Sequence, residues 1–197
     1  MQKFLNMTVL TLDHCGYLTH IPDVSGLPNL ERLSFPFCYS LITIHNSVGY
    51  LNKLEILDAT GCKRLKSFPP LKLPSLMELQ LSGCKSLNSF PELLCKMTNI
   101  EEIEIYDTSI GELPFSFGNL DELLELRISS VSLKILPECL SEFELLWVLD
   151  VQNCESLEEI IGFPPNLERF HANGCKSLNS SSRKMLLSQV CYCFLLH

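Results

Sequence analysis

Metal and redox chemistry are the first that this sequence invites, because ten of its 197 residues are cysteines and five are histidines. The histidines are His14, His20, His45, His171 and His197. They form no His-x₃-His pair, there is no Cys-x₂-Cys pair, and Cys191-Tyr-Cys193 stands alone. A tetrahedral zinc site needs clustered ligands of that kind, so no metal site is expected. Ser, His and Asp all occur, but no spacing brings a nucleophile, a base and an orienting acid together. A Gly-rich phosphate loop ending in Lys-Ser/Thr is absent as well, so no nucleotide site is expected. The sequence therefore assigns no catalytic residue and no cofactor, and the expectation is a protein that is not an enzyme.

The cysteines follow a different rule. Cys15, Cys38, Cys62, Cys84, Cys154 and Cys175 each stand eight residues after an apolar residue that opens a recurring pattern. The openings are Met7, Leu30, Leu54, Leu76, Ile100, Leu123, Leu146 and Leu167, at intervals of 23, 24, 22, 24, 23, 23 and 21 residues. Three residues further on stand Leu10, Leu33, Leu57, Leu79, Ile103, Leu126, Leu149 and Phe170. Two more bring Leu12, Phe35, Ala59, Leu81, Ile105, Ile128, Val151 and Ala172. All 24 positions are apolar in a chain that is 46% apolar, an outcome of roughly one in 10⁸ by chance.

Self-similarity at this period signals a solenoid, here an α/β leucine-rich-repeat solenoid of about eight coils. The step from the second column to the third alternates in and out, so each coil opens with a short strand. The strands stack in parallel as a curved concave sheet. At the eighth position the chain turns inward, and a small side chain must fit beneath neighbouring backbone. Coils five and six carry Thr108 and Val131 there and are one residue shorter before the next core residue. A descent follows through Ile21, Ile44, Phe68, Phe90, Leu113, Leu136 and Ile160, with Ser181 in the eighth coil, and prolines after several of them bar long helices. The convex side is expected to hold loops, 3₁₀ turns and short helices, with helical turns at 92–99, 115–120 and 138–143.

The repeat unit covers 1–182. Residues 183–197 form a C-terminal tail, whose "VCYCFLLH" reads as a truncated or mis-spliced end, with a short apolar cap as the alternative. Phe4 fits the tail of a coil whose strand is missing, so Met1 opens the chain inside a repeat. The charge of −8 argues against tracking a phosphate backbone, so no nucleic-acid partner is expected. Val190 to Leu196 is too short to span a bilayer, and no membrane partner is expected. With six cysteines explained by the turn, a disulfide framework is not needed. Reduced, buried thiols place the chain in the cytoplasm, with the nucleus as an alternative.

The wording of the coils is more specific than the repeat itself. "LEILDATGCKRLKSFP", "LMELQLSGCKSLNSFPE" and "IEEIEIYDTSIGELP" resemble the repeat domain of plant intracellular immune receptors of the Toll-type nucleotide-binding, leucine-rich-repeat class. "LERFHANGCKSLNSSSRKMLLSQ" resembles the end of that array. The resemblance implies a disease resistance protein of innate immunity whose repeats contact a pathogen effector or other receptor domains. It implies a fragment here, without the signalling and nucleotide-binding parts. The alternative is a free-standing repeat adaptor or inhibitor.

A protein partner would meet the variable, outward strand positions. The candidates are Arg32, Asp58, Glu78, Gln80, Glu102, Glu104, Tyr106, Glu125, Arg127, Asp150 and Arg169, with Trp147 beside them. The middle of this face is acidic, through Asp58, Glu78, Glu101, Glu102, Glu104, Asp107 and Glu125. Tyr106 and Trp147 are its aromatic anchors. The Trp147 ring is expected either to point outward or to fold over the edge of its own coil.

Overall fold

The structure, a computed structural model, describes residues 4–193, with side chains as far as Leu186. The expectations for Met1 and for residues 194–197 lie outside it. Each coil opens with a strand, as the alternation requires: β1 (Val9–Thr11), β2 (Arg32–Ser34), β3 (Ile56–Asp58), β4 (Glu78–Gln80), β5 (Glu102–Tyr106), β6 (Glu125–Ser129), β7 (Val148–Asp150) and β8 (Arg169–His171). These eight strands are linked by seven turns of the solenoid. Neighbours are parallel and in register by column: Leu10 faces Leu33, Leu33 faces Leu57, Leu57 faces Leu79, and Ile103, Leu126, Leu149 and Phe170 continue the row.

The register has one interruption. β1 to β4 form one four-stranded ladder and β5 to β8 another. Between β4 and β5 a side chain takes over from the backbone. The buried Ser82 hydroxyl donates to the Glu104 carbonyl at 3.1 Å and accepts from the Tyr106 N–H at 3.3 Å.

The apolar columns make one continuous core. In coils two to seven the three strand-side columns are at most 3% exposed, and burying a leucine is worth about 1.5–3 kcal/mol. Met7, Leu10, Leu12 and Leu18 at one end and Leu167, Phe170 and Ala172 at the other are only partly buried, because a neighbouring coil covers one side alone. Behind the sheet, Phe90 meets Phe117 edge-on at 5.2 Å, and Phe117 stacks on Phe143 at 6.0 Å.

The inward turn is built from two adjacent positions. The seventh residue of every coil has positive φ: His14, Phe37, Gly61, Gly83, Asp107, Ser130, Asn153 and Gly174. The eighth then points inward. The thiols of Cys38, Cys62, Cys84, Cys154 and Cys175 donate to carbonyls one coil earlier, those of Leu12, Phe35, Ala59, Ile128 and Val151, at 3.1–3.2 Å. Cys15, in the first coil, is exposed. Thr108 instead accepts from the N–H of Ile110 in its own coil at 3.4 Å. The two coils without a turn thiol carry the longest concave strands, five residues each in β5 and β6.

A second rung runs along the outside. Asn29, Asn99 and Asn166, each just before a coil opening, donate their amides to the carbonyls of Leu5, Pro74 and Glu144 one coil earlier. Ser75 does the same to Asn52.

On the convex side, 3₁₀ turns form at Phe115–Leu120 and Glu138–Glu142, as expected, and also at Asn46–Tyr50. The helical turns expected at 92–99 do not form. The segment runs extended there, because Leu71 and Leu93 make a parallel bridge through Leu71 N–H to Glu92 O at 2.8 Å and Leu94 N–H to Leu71 O at 2.7 Å. Helix α1 (Ser180–Cys193) follows the eighth coil. Asn179 caps it by accepting from the Ser182 N–H at 2.8 Å. That phase makes Ser182, not Ser181, the buried residue, and its hydroxyl accepts from the Ile160 N–H at 3.0 Å.

Burial pushes the thiols of Cys38, Cys62, Cys84, Cys154 and Cys175 up, to about 12 at Cys84 and about 11 at Cys154, from an ordinary value of 9.0. The unfolded chain gives up these protons first. Stability from this source is therefore full below pH 9 and falls as pH rises from there toward 11, by about 1.4 kcal/mol per pH unit for each thiol. Urea unfolding at pH 8, 9 and 10 should show that loss, and a Cys84→Ala chain should show a shallower one. At the turn itself, a Cβ on Gly61 would stand 2.6 Å from Cδ1 of Phe37, at a φ of +70°. Gly61→Ala is expected to cost about 2 kcal/mol by denaturant titration, chiefly from left-handed strain and displacement of that ring.

Candidate protein-binding face

The concave strands hold the second and third apolar columns in the core, so the residues between and beside them stand on one open face. Eight strands at the usual spacing make that face roughly 35 Å long, enough for an ordinary protein interface. Arg32, Glu78, Glu102, Glu104, Tyr106 and Arg169 are exposed on it, while Asp58, Gln80, Glu125, Arg127, Trp147 and Asp150 are half-buried.

The expected acidic centre divides into carboxylates that are occupied and carboxylates that are free to meet a partner. Arg127 lies between Glu102 and Glu125 and pairs with both. Asp107 pairs with Lys85 at 3.1 Å. Asp58 turns back on its own chain and accepts from the Thr60 N–H at 2.9 Å. Asp150 does the same with the Gln152 N–H at 2.9 Å, and His171 stands 3.4 Å from its other oxygen. Glu55, Glu78, Glu101 and Glu104 have no cationic partner among the described residues. Glu78 is held only by the Gln80 amide at 3.3 Å.

These four surround a recess of about 530 Å³ against the join of β4 and β5. Ile56 and the exposed Met77 supply its apolar lining, with Gln80, Asn99 and Glu102 completing it. The arrangement suits a long basic side chain, whose methylenes lie on Ile56 and Met77 while its charge meets the carboxylates. Outward strand positions alone would omit Glu55 and Met77. Both stand one residue after a coil opening, in the column of Trp147, and that shared column is the signal that finds them.

Trp147 is half-buried, and the guanidinium of Arg169 from the next coil lies 5.2 Å from its ring centre. The two form one amphipathic patch at the C-terminal end of the face. The descent columns make a further rung rather than a site: His20–Ile21 pairs with Thr43–Ile44, and Ile135–Leu136 with Glu159–Ile160. No group of three or more His, Cys, Asp or Glu residues among those described could hold a metal ion. No described helix is long and apolar enough to cross a membrane.

A parallel-stranded solenoid with a continuous leucine core and a variable polar concave face defines a leucine-rich-repeat protein. Residues 71–163 match the model of the leucine-rich repeats of RPS4B-like disease resistance proteins. TMV resistance protein N of Nicotiana glutinosa is 34% identical over 178 residues, covering 88% of this chain and 16% of that protein. Disease resistance protein RPP4 of Arabidopsis thaliana is 36% identical over 82% of this chain and 16% of its own length, and RPP2A of the same plant is 34% identical over 81% and 10%. The chain is thus a leucine-rich-repeat array homologous to plant disease resistance proteins, and it spans between a tenth and a sixth of the length of these relatives. Among solved structures, the leucine-rich repeat domain of the type III effector XopL superposes with a TM-score of 0.62 at 20% identity, over 93% of this chain and 73% of that one. At that identity the likeness concerns the fold.

Trp147 is the only tryptophan, so its fluorescence reads the Arg169 contact directly. Arg169→Ala should shift its emission to the red as the ring gains water. An unchanged spectrum would mean that the cation does not cover the ring in solution.

Proposed function

We propose that this chain is the protein-recognition module of an intracellular plant immune receptor and that its concave face binds a basic surface of a pathogen effector or of another receptor domain. It catalyses no reaction of its own and needs no cofactor. In this reading residues 1–182 are the recognition unit, residues 183–197 a tail, and the signalling and nucleotide-binding parts belong to a longer protein that works in the cytoplasm or nucleus.

The recess bounded by Glu55, Glu78, Glu101 and Glu104 is the observation that carries the proposal. Among the described residues these four carboxylates pair with no cation, whereas their neighbours Glu102, Glu125 and Asp107 do. Unneutralised charge at the centre of a concave face steers and orients an oppositely charged partner. An apolar floor adds contact area where water is excluded.

The test is binding of a panel of basic secreted effectors to the wild-type chain and to a Glu78→Lys/Glu104→Lys variant. An effector that uses this face should bind the wild type more weakly as salt rises, and the double reversal should weaken it by at least about tenfold, or 1.4 kcal/mol. Both positions are exposed, so the variant should melt with the parent. Effectors that bind wild type and variant equally would contradict the assignment of this face. Absence of a nucleotide-binding domain encoded in frame beside this array would contradict the receptor reading separately.

A further inference from the structure

The turn edge of the first three coils carries a second surface that the concave face does not use. Every coil has positive φ at its seventh residue, and from the third coil onward that residue is Gly, Asp, Ser or Asn. The second coil puts Phe37 there, at φ 58°, a conformation that bulky side chains avoid. Its ring does not enter the core. It is 36% exposed and stacks on the His14 ring at 4.9 Å. Gly61 makes room for it, since a Cβ there would collide with the ring. Tyr39, nearly half exposed, lies 6.3 Å further along, and Lys63 sets its ammonium 4.8 Å from the Tyr39 ring centre. Arg64 is exposed next to it.

Lys63 and Arg64 make no ion pair among the described residues, although the whole chain carries a charge of −8. Arg32, Lys53, Lys66, Lys72 and Lys134 are likewise without an ion pair among the described residues, so it is the place beside exposed rings that marks Lys63 and Arg64. The two cations and the exposed rings share one edge, distinct from the buried aromatic row.

We propose that this edge binds an acidic, aromatic-containing peptide segment of a partner protein. Aromatic side chains of the segment stack on Phe37 and Tyr39, and its carboxylates meet Lys63 and Arg64. A polynucleotide suits the edge less well. Its charge is continuous, so it would run from the two cations into the field of an acidic chain.

Fluorescence anisotropy with a labelled peptide of alternating glutamate and phenylalanine tests this. Binding should weaken with salt and fall by at least about tenfold in Lys63→Glu/Arg64→Glu. Phe37→Gly should lose several-fold while keeping its melting temperature, because glycine takes the turn without strain. Glu78→Lys/Glu104→Lys, on the concave face, should not weaken it. No binding by the wild type would overturn the proposal, as would equal binding by the Lys63/Arg64 variant. Tighter binding of single-stranded oligothymidylate through the same residues would overturn it in favour of a nucleic acid.

Discussion

Everything in this molecule depends on the inward turn made by the seventh and eighth residues of each coil. The seventh takes a left-handed conformation, and the eighth drops beneath the backbone of the coil before it, where in five coils its thiol donates to a carbonyl of that earlier coil. At Leu12 and Ala59 the same carbonyl also accepts the N–H of its own turn, from Cys15 and Cys62, so the thiol ties one turn to the next. A cysteine fits because it is small, weakly polar and satisfied by one bond. The larger Val131 is taken where the coil is one residue shorter after the turn, and a charged residue would face the same burial that holds the Cys84 proton to about 12. Once the turn is fixed, the strand before it and the descent after it have little freedom left.

The concave face follows from that geometry. Strands that leave identical turns stack in register, so a residue's column decides which neighbour it meets one coil away. Arg127 stands across from Glu104 in the register, yet it reaches diagonally to Glu102 of the coil before and along its own strand to Glu125. Glu104 is thereby left without an ion pair among the described residues, as is Glu78, and the recess beside them coincides with the place where Ser82 interrupts the ladder. Charge and shape thus come from the same local departure from regularity. The exposed ion pairs themselves add little to stability; their role on this face is to decide which carboxylates remain available.

The fold is legible in the sequence because burial repeats in columns, and hydropathy alone finds columns of Leu10 and Leu12 type. The turn cysteines are legible for the same reason. The left-handed position is not, because only Gly61, Gly83 and Gly174 advertise it while His14 and Phe37 occupy it without the usual signal. The outer asparagine rung escapes notice because its acceptors are backbone carbonyls, which carry no residue identity. Helix α1 and the burial of Ser182 depend on a side-chain cap at Asn179, so a one-residue phase decides which serine enters the core. At the candidate site the acidic residues can be read directly, but their pairing cannot, since it needs the geometry of adjacent coils. Glu55 and Met77 stand just before their strands, where the in-and-out rule does not apply.

The continuous core is assembled coil by coil, so each coil is held by its two neighbours and by nothing else. Native-state hydrogen exchange tests this directly. The amides that bond across the inner coils, such as Phe35 to Asp58, Ala59 to Gln80 and Ser130 to Gln152, should be the slowest. The first coil, covered on one side, should open before them. Fast exchange throughout, or slow exchange confined to one block with the remaining coils unprotected, would contradict the account.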